Sequence, residues 1–230
     1  MTKKLIIAID GPAGSGKSTV SKILAKRISY TYLDTGALYR AVAYRVLKEG
    51  IAHGAHGDET RLSQLCGRIK IGLKTIDGDL RVFVDDEDVT DRIRTEDIGV
   101  IASTVSAMPV VRETLLSIQR EMGENGGIVA EGRDMGTVVF PHADLKFFFN
   151  ADVSERAKRR FLELKEKGIP VDFDEIRESV LQRDRQDMAR DIAPLRVPSD
   201  AIVIDTTSVT AEEVIDTIAV YIEKALDREV

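Results

Sequence analysis

The sequence predicts an α/β fold: a parallel sheet of about five strands flanked by helices, with a small antiparallel insertion. Three observations point there. Short unbroken apolar runs that end in Gly-rich or polar turns recur along the chain. Segments with helical apolar spacing lie between them. One stretch departs from both, with two alternating runs around Asp77-Gly78.

Leu5 to Ile9 is continuously apolar and stops at Asp10-Gly11-Pro12. Parallel strands covered on both faces read this way, without alternation. Ile128-Val129-Ala130, Leu145 to Phe149 and Ala201 to Ile204 follow the same pattern, and Tyr32-Leu33 before Asp34 supplies a short fifth strand. Val20, Ile23, Leu24 and Ile28 recur at helical spacing, as do Val111, Leu115, Ile118 and Met122. Val214, Ile215, Ile218, Ala219, Ile222, Ala225 and Leu226 form one apolar stripe. Strand–helix alternation calls for a parallel sheet with right-handed crossovers. In contrast, Ile69, Ile71 and Leu73 alternate with polar or small residues, and Leu80, Val82 and Val84 do so again beyond Asp77-Gly78. That is a hairpin signal. It places a subdomain at about 60–95 inside a single domain of residues 1–230.

The 230 residues are 43% hydrophobic and 31% charged, enough apolar surface for a core without disulfides or a structural metal. The single Cys66 excludes an internal disulfide and a Cys-rich zinc site. A reducing, cytoplasmic setting is expected. With 33 basic against 39 acidic residues the formal net charge is −6. That disfavours a general nucleic-acid-binding surface and leaves room for a local basic pocket. No apolar run approaches the ~20 residues of a membrane span. Leu5 to Ile9 is also too short for a secretory segment. A monomer with no nucleic-acid or membrane partner is the expectation.

Gly11-Pro12-Ala13-Gly14-Ser15-Gly16-Lys17-Ser18 fits G-x-x-x-x-G-K-[ST], with a buried strand before it and an amphipathic helix after it. The glycines let the backbone curl until successive N–H groups face phosphate oxygens. The helix start, which includes Thr19, adds the positive end of its dipole. Lys17, expected in a solvated loop, reaches the β/γ-phosphates, and the Ser18 hydroxyl can ligate Mg²⁺. The motif therefore reads as a nucleoside triphosphate site. The guanine-reading N-K-x-D segment of a GTPase is missing. The chain length suits a kinase for a small phosphate acceptor better than a motor ATPase.

Three further clusters follow predicted elements. Asp34-Thr35-Gly36-Ala37-Leu38-Tyr39-Arg40 ends a strand and opens a helix at about Ala37. Thr35 is a candidate N-cap or anion-binding hydroxyl there, and Arg40 suits a second phosphate. Glu131-Gly132-Arg133-Asp134-Met135-Gly136-Thr137 lies just past a strand, at the sheet edge where open α/β folds bind ligands. Glu131 takes the place of a Walker-B-type carboxylate facing Mg²⁺-bound water. Arg156, Arg159 and Arg160 lie on a helix that Asp152 and Glu155 open in capping-box fashion. Gly168-Ile169-Pro170 ends it, and Arg183, Asp187 and Arg190 share a face of the next helix, which starts near Phe173. Two Arg-bearing helices joined by a short turn describe a helical lid, about 153–175, that shields phosphoryl transfer from water.

Taken together, IDGPAGSGKST, YLDTGALYR, EGRDMGTVVFP and QRDRQDMARDIAPL, in this order, resemble the bacterial cytidylate kinases along nearly the whole chain. The first motif is generic; the other three are specific to that family. The hairpin insertion resembles the enlarged acceptor-binding part of the family's long form. The resemblance implies ATP as phosphoryl donor, Mg²⁺, and CMP or dCMP as acceptor. It implies acceptor-phosphate contacts from Arg40, Arg133 and Arg190 with Thr35 nearby, and cytosine recognition by Ser103, Arg112 and Asp134. It also implies sugar contacts from Tyr39, Arg183 and Asp187, and ATP contacts from Arg156 and Arg160 in the lid. Lys17, Arg133, Arg183 and Arg190 would carry the charge of the transfer. One departure is Glu131, where the family usually shows Asp; the charge stays but moves by one methylene. Cytosine offers a donor at N4 and acceptors at N3 and O2, whereas uracil has an acceptor at O4. An Arg paired with a carboxylate or Ser oxygen can therefore separate them. Two other readings stay open at this point: a P-loop kinase for another small acceptor, and a non-catalytic ATP-binding switch.

Overall fold

The computed structural model describes residues 4–52, 58–76 and 79–227. In chain order the elements are β1 (Ile6–Asp10), α1 (Lys17–Arg27), β2 (Thr31–Asp34), α2 (Thr35–Lys48), α3 (Glu59–Cys66), β3 (Ile71–Ile76), β4 (Asp79–Val84), β5 (Glu87–Asp88), α4 (Glu96–Val105), α5 (Pro109–Gly123), β6 (Ile128–Gly132), β7 (Leu145–Asn150), α6 (Val153–Glu166), α7 (Phe173–Met188), β8 (Ile202–Asp205) and α8 (Ala211–Asp227). A 3-10 turn at Arg92–Arg94 and a π-turn at Met135–Val139 complete them. The chain divides into two compact units, Met1–Leu33 with Gly123–Val230, and Asp34–Met122.

The first unit holds a five-stranded sheet in the order β2-β6-β1-β7-β8. Its β1–β6, β1–β7 and β7–β8 ladders are parallel. The central strands are buried on both faces, with Ala8, Ile128, Ala130 and Phe148 covered on one side and α1 and α8 packed on the other. Ile7, Ile9, Val129, Phe147 and Phe149 are fully buried, joined by Val20 and Leu24 of α1 and by Val214, Ile215 and Ile218 of α8. Each such side chain contributes about 1.5–3 kcal/mol of burial. The Phe147 ring meets Tyr221 of α8 edge-on at 5.9 Å. β8 differs from the other apolar runs. It is the outer strand, so only one face is covered, and Val203 stays 57% exposed between half-buried Ile202 and Ile204. The β1–β6 register sets Ile9 opposite Glu131 and Asp10 opposite Gly132. The two strands thus release the P-loop and the Glu131 turn at the same level.

The second unit is organised on α2, whose buried Leu38, Ala41, Val42 and Val46 pack against α3, α4, β4 and the 3-10 turn. β3 and β4 form an antiparallel hairpin closing at Ile76 opposite Asp79, and β5 extends it through Phe83 opposite Asp88. The predicted Asp77-Gly78 turn lies outside the described residues. Buried Val82 and Val84 mark the covered face.

Helix starts move slightly from the sequence reading. α2 begins at Thr35, and its cap is Asp34, whose carboxylate accepts from Ala37 N at 3.0 Å. A carboxylate one residue earlier reaches the free N–H that the Thr35 hydroxyl was expected to satisfy. α1 begins at Lys17 behind Gly16, which has a left-handed φ of 86°. At α6, Asp152 accepts from Ser154 N and Glu155 N, while Glu155 turns to Arg159 at 3.4 Å and leaves the capping box half-made. No single helix among the described residues is long and apolar enough to cross a membrane.

Candidate active site

The P-loop follows β1 directly. A Cβ on Gly11, at φ 148°, would stand 2.2 Å from the Phe149 carbonyl oxygen, so only glycine lets the loop pass β7 here. The Pro12 carbonyl accepts from Ser15 Oγ at 2.9 Å and from Lys17 Nζ at 2.7 Å. The loop is pinned from outside as Thr206 Oγ1 donates to the Ser15 carbonyl at 2.9 Å. Lys17 is 5% exposed, which corrects the expectation of a solvated loop residue: its stem fills the inside of the loop and its amine caps a carbonyl. Burial, with the positive charge of Arg133, pulls its pKa down to about 7 against the carboxylates of Glu131, Asp10 and Asp187. Ser18 and Thr19 are exposed on the first turn of α1.

Glu131, one residue from the end of β6, is buried between two hydroxyls. Ser18 Oγ donates to its Oε2 at 3.0 Å and Tyr32 OH to its Oε1 at 2.5 Å. Asp10, at the end of β1, accepts from Met135 N and Gly136 N, each at 2.8 Å. That carboxylate fixes the π-turn that follows Arg133 and the buried Asp134. Arg133 Nε donates to Asp187 Oδ2 at 2.8 Å, and Arg190 pairs with Asp187 Oδ1. Asp187 is 1% exposed. Burial alone would raise its pKa, but the charges of Arg133, Arg190 and Arg183 overcome this and hold it below the usual carboxylate range. One carboxylate from α7 thus pairs with two predicted arginines and feels the charge of a third, Arg183.

The lid arginines part ways. Arg156 is 3% exposed and turned inward. Its guanidinium makes a two-pronged pair with Asp184 at 3.1 and 2.6 Å and donates to the Ala13 carbonyl at 3.1 Å. Arg160 is half-buried and pairs with Glu163 at 2.8 Å. Phe161 of α6 meets Phe173 of α7 edge-on at 5.9 Å, which holds the two helices together.

In the second unit Thr35 is buried at the start of α2. Arg40 donates to the carbonyls of Ile93 and Thr95 at 3.0 and 3.1 Å. Its guanidinium lies over Gly99, where a Cβ would come within 3.0 Å of Nη2. Arg112 is buried, donates to the Ser106 carbonyl at 3.0 Å and lies over the Tyr39 ring at 5.7 Å. The Ser103 carbonyl accepts from Ser106 Oγ at 2.8 Å. Tyr39, Ser103 and Arg112 therefore form one neighbourhood, with Ser106 as the link.

Asp10, Tyr32, Gly99 and Asp184 escaped the sequence reading. Asp10 carried a local signal, a carboxylate closing a wholly apolar strand, and Tyr32 and Asp184 lie within the motifs quoted for the family resemblance; Gly99 carried none.

The family model for cytidylate kinase matches residues 7–224. The chain belongs to the cytidylate kinase family. It is 47% identical over 228 residues to the cytidylate kinase of Caldicellulosiruptor bescii, spanning 99% of this chain and all of that one. It is 50% identical over 212 residues to the cytidylate kinase of Geobacter sulfurreducens, spanning 92% of this chain and 90% of that one. A crystal structure of an uncharacterised protein from Eubacterium ventriosum shares the fold alone: TM-score 0.50 and 15% identity, over 96% of this chain and 99% of that one. The P-loop and the arginines around Asp187 all fall within the residues that the family model matches.

Proposed function

We propose that this protein transfers the γ-phosphoryl group of ATP to CMP or dCMP, releasing ADP and CDP or dCDP. The reading is carried by the cytidylate kinase match over residues 7–224, in a chain whose P-loop and acceptor arginines are intact. The acceptor phosphate is itself the nucleophile. One of its oxygens attacks the γ-phosphorus in line while the β–γ bridging oxygen leaves with ADP, and no covalent enzyme intermediate forms. Lys17 exchanges the Pro12 carbonyl for a phosphate oxygen, and the Gly14–Thr19 backbone N–H groups hold the rest of the triphosphate. Arg133, Arg183 and Arg190 neutralise charge that develops between donor and acceptor, and Asp187 fixes them beforehand so that little reorganisation remains. Arg40 and Thr35 serve the acceptor phosphate. Arg160 faces ATP from the lid, and Arg156 joins it only by releasing Asp184.

A hydroxyl and a carboxylate 3.0 Å apart beside the P-loop, Ser18 and Glu131, are hard oxygen donors that fit Mg²⁺. Ser18 and Glu131 would hold it, and it would supply charge neutralisation for the triphosphate. For the base, Asp134 and Ser103 accept from the cytosine N4 amine while Arg112 donates to N3 or O2. Tyr39, Arg183 and Asp187 serve the sugar. A cytoplasmic monomer without nucleic-acid or membrane partners suits the net charge of −6 and the buried, free Cys66.

The test is ADP release with CMP, dCMP, UMP, AMP and GMP in parallel, repeated for Asp134→Asn. CMP and dCMP should lead the panel. The variant's amide can pair with uracil O4, so the CMP-to-UMP ratio of kcat/KM should fall at least ~10-fold. A parallel loss for both would end the direct reading of N4 by Asp134. A wild-type preference for another acceptor would end the cytidylate assignment.

A further inference from the structure

We infer that Tyr32 is a positioning residue of the metal-binding end of this site: its phenol holds Glu131 so that Glu131 can hold Ser18. The inference rests on the kinase reading above and on one three-member chain of contacts. Tyr32 OH donates to Glu131 Oε1 at 2.5 Å, and Ser18 Oγ donates to Glu131 Oε2 at 3.0 Å. Three elements meet in it: β2 gives the phenol, β6 the carboxylate and α1 the hydroxyl. β2 and β6 are sheet neighbours, so the phenol and the carboxylate come from adjacent strands.

The chemistry of the chain is directional. A serine hydroxyl that spends its proton on a carboxylate keeps its lone pairs for a cation. Glu131 therefore sets the Ser18 rotor. A Glu side chain has three torsions to distribute, and the bond from Tyr32 narrows them. Glu131 spans the β2 phenol and the α1 hydroxyl, and Glu131→Asp would draw the carboxylate back from both by one methylene. Tyr32 and the glutamate act as a matched pair.

The experiment uses the full chain and the β,γ-imido analogue of ATP, titrated calorimetrically with Mg²⁺ and again with EDTA. The gain in affinity on adding Mg²⁺ is the readout, and it needs no acceptor. Tyr32→Phe should bind the metal-free analogue within about 2-fold of wild type and lose about 10-fold of the Mg²⁺ gain, as removal of a residue that orients a ligand does. In a Glu131→Asp background, which breaks the span, adding Tyr32→Phe should change the gain by less than about 2-fold. An undiminished gain in Tyr32→Phe would overturn the inference. So would equal losses with and without Mg²⁺, which would make Tyr32 merely structural, or an undiminished effect of Tyr32→Phe in the Glu131→Asp background. Failure of wild type to phosphorylate CMP would sink the functional reading and leave this metal-dependent measurement decisive for Tyr32.

Discussion

Lys17 is a buried cation inside the P-loop, and the proposed function gives it the transferred phosphate. Its amine is buried on the Pro12 carbonyl, and burial has already weakened its hold on a proton. A triphosphate offers it a better partner than one carbonyl oxygen. Lys17→Ala should cut kcat by ~10²-fold or more, the scale for losing a preorganised transition-state donor. It should leave thermal stability equal or slightly higher, because a buried cation goes with it. A coupled assay and a melting curve on one preparation check both. Near-normal turnover would remove Lys17 from the mechanism.

At the scale of elements, a buried ion pair and a ring contact join α6 and α7. Arg156 and Asp184 are both largely hidden from solvent, and Arg156 also reaches the Ala13 carbonyl of the P-loop. Removing one partner strands the other charge. Asp184→Leu should destabilise the protein by about 3–5 kcal/mol, and Arg156→Met added to it should recover most of the loss. Denaturant unfolding of wild type, single and double variants measures this. Equal instability of single and double variants would mean that the stem of Arg156, not its charge, does the holding. The double variant also separates stability from catalysis. If it folds well but turns over slowly, the bond from Arg156 to the P-loop serves the reaction.

Asp10 brings a pH term to the stability of the whole molecule. Burial raises its pKa to about 6, against the opposing pull of the Gly136 and Met135 N–H groups; Asp134 raises it further and Lys17 lowers it. An unfolded carboxyl titrates near 3.9. The folded state thus holds the proton more tightly than the unfolded one. The associated stability is fully present below about pH 4, fades as pH rises towards 6, and is absent above that. The span is about 3 kcal/mol at most. Asp10→Asn cannot titrate. Wild type should therefore lose stability relative to this variant between pH 4 and 7, measured by urea unfolding at each pH. A difference that stays constant with pH would show that the two backbone donors keep Asp10 ionised throughout.

The amino-acid sequence by itself determined the buried strands, the P-loop, the hairpin and the family. Each is written in neighbouring residues: an apolar run, a glycine spacing, an alternation, a motif. It also named Lys17, Glu131, Arg133, Arg183, Asp187 and Arg190 as charged residues near strand ends and on a helix, but α7 ends at Met188, so Arg190 reaches Asp187 from the turn beyond it and not from a shared helix face. It could not say how they pair. Ser18 meets Glu131 across 113 residues, Tyr32 meets it across 99, and Arg133 meets Asp187 across 54. Nor could it tell that β8 lies at an edge, that Arg156 turns inward, or that Gly99 makes room for Arg40. Periodicity says which face of an element is covered, but not by what. Those partners were decided only when parallel strands distant in the chain came level at their carboxyl ends and the helices closed over them.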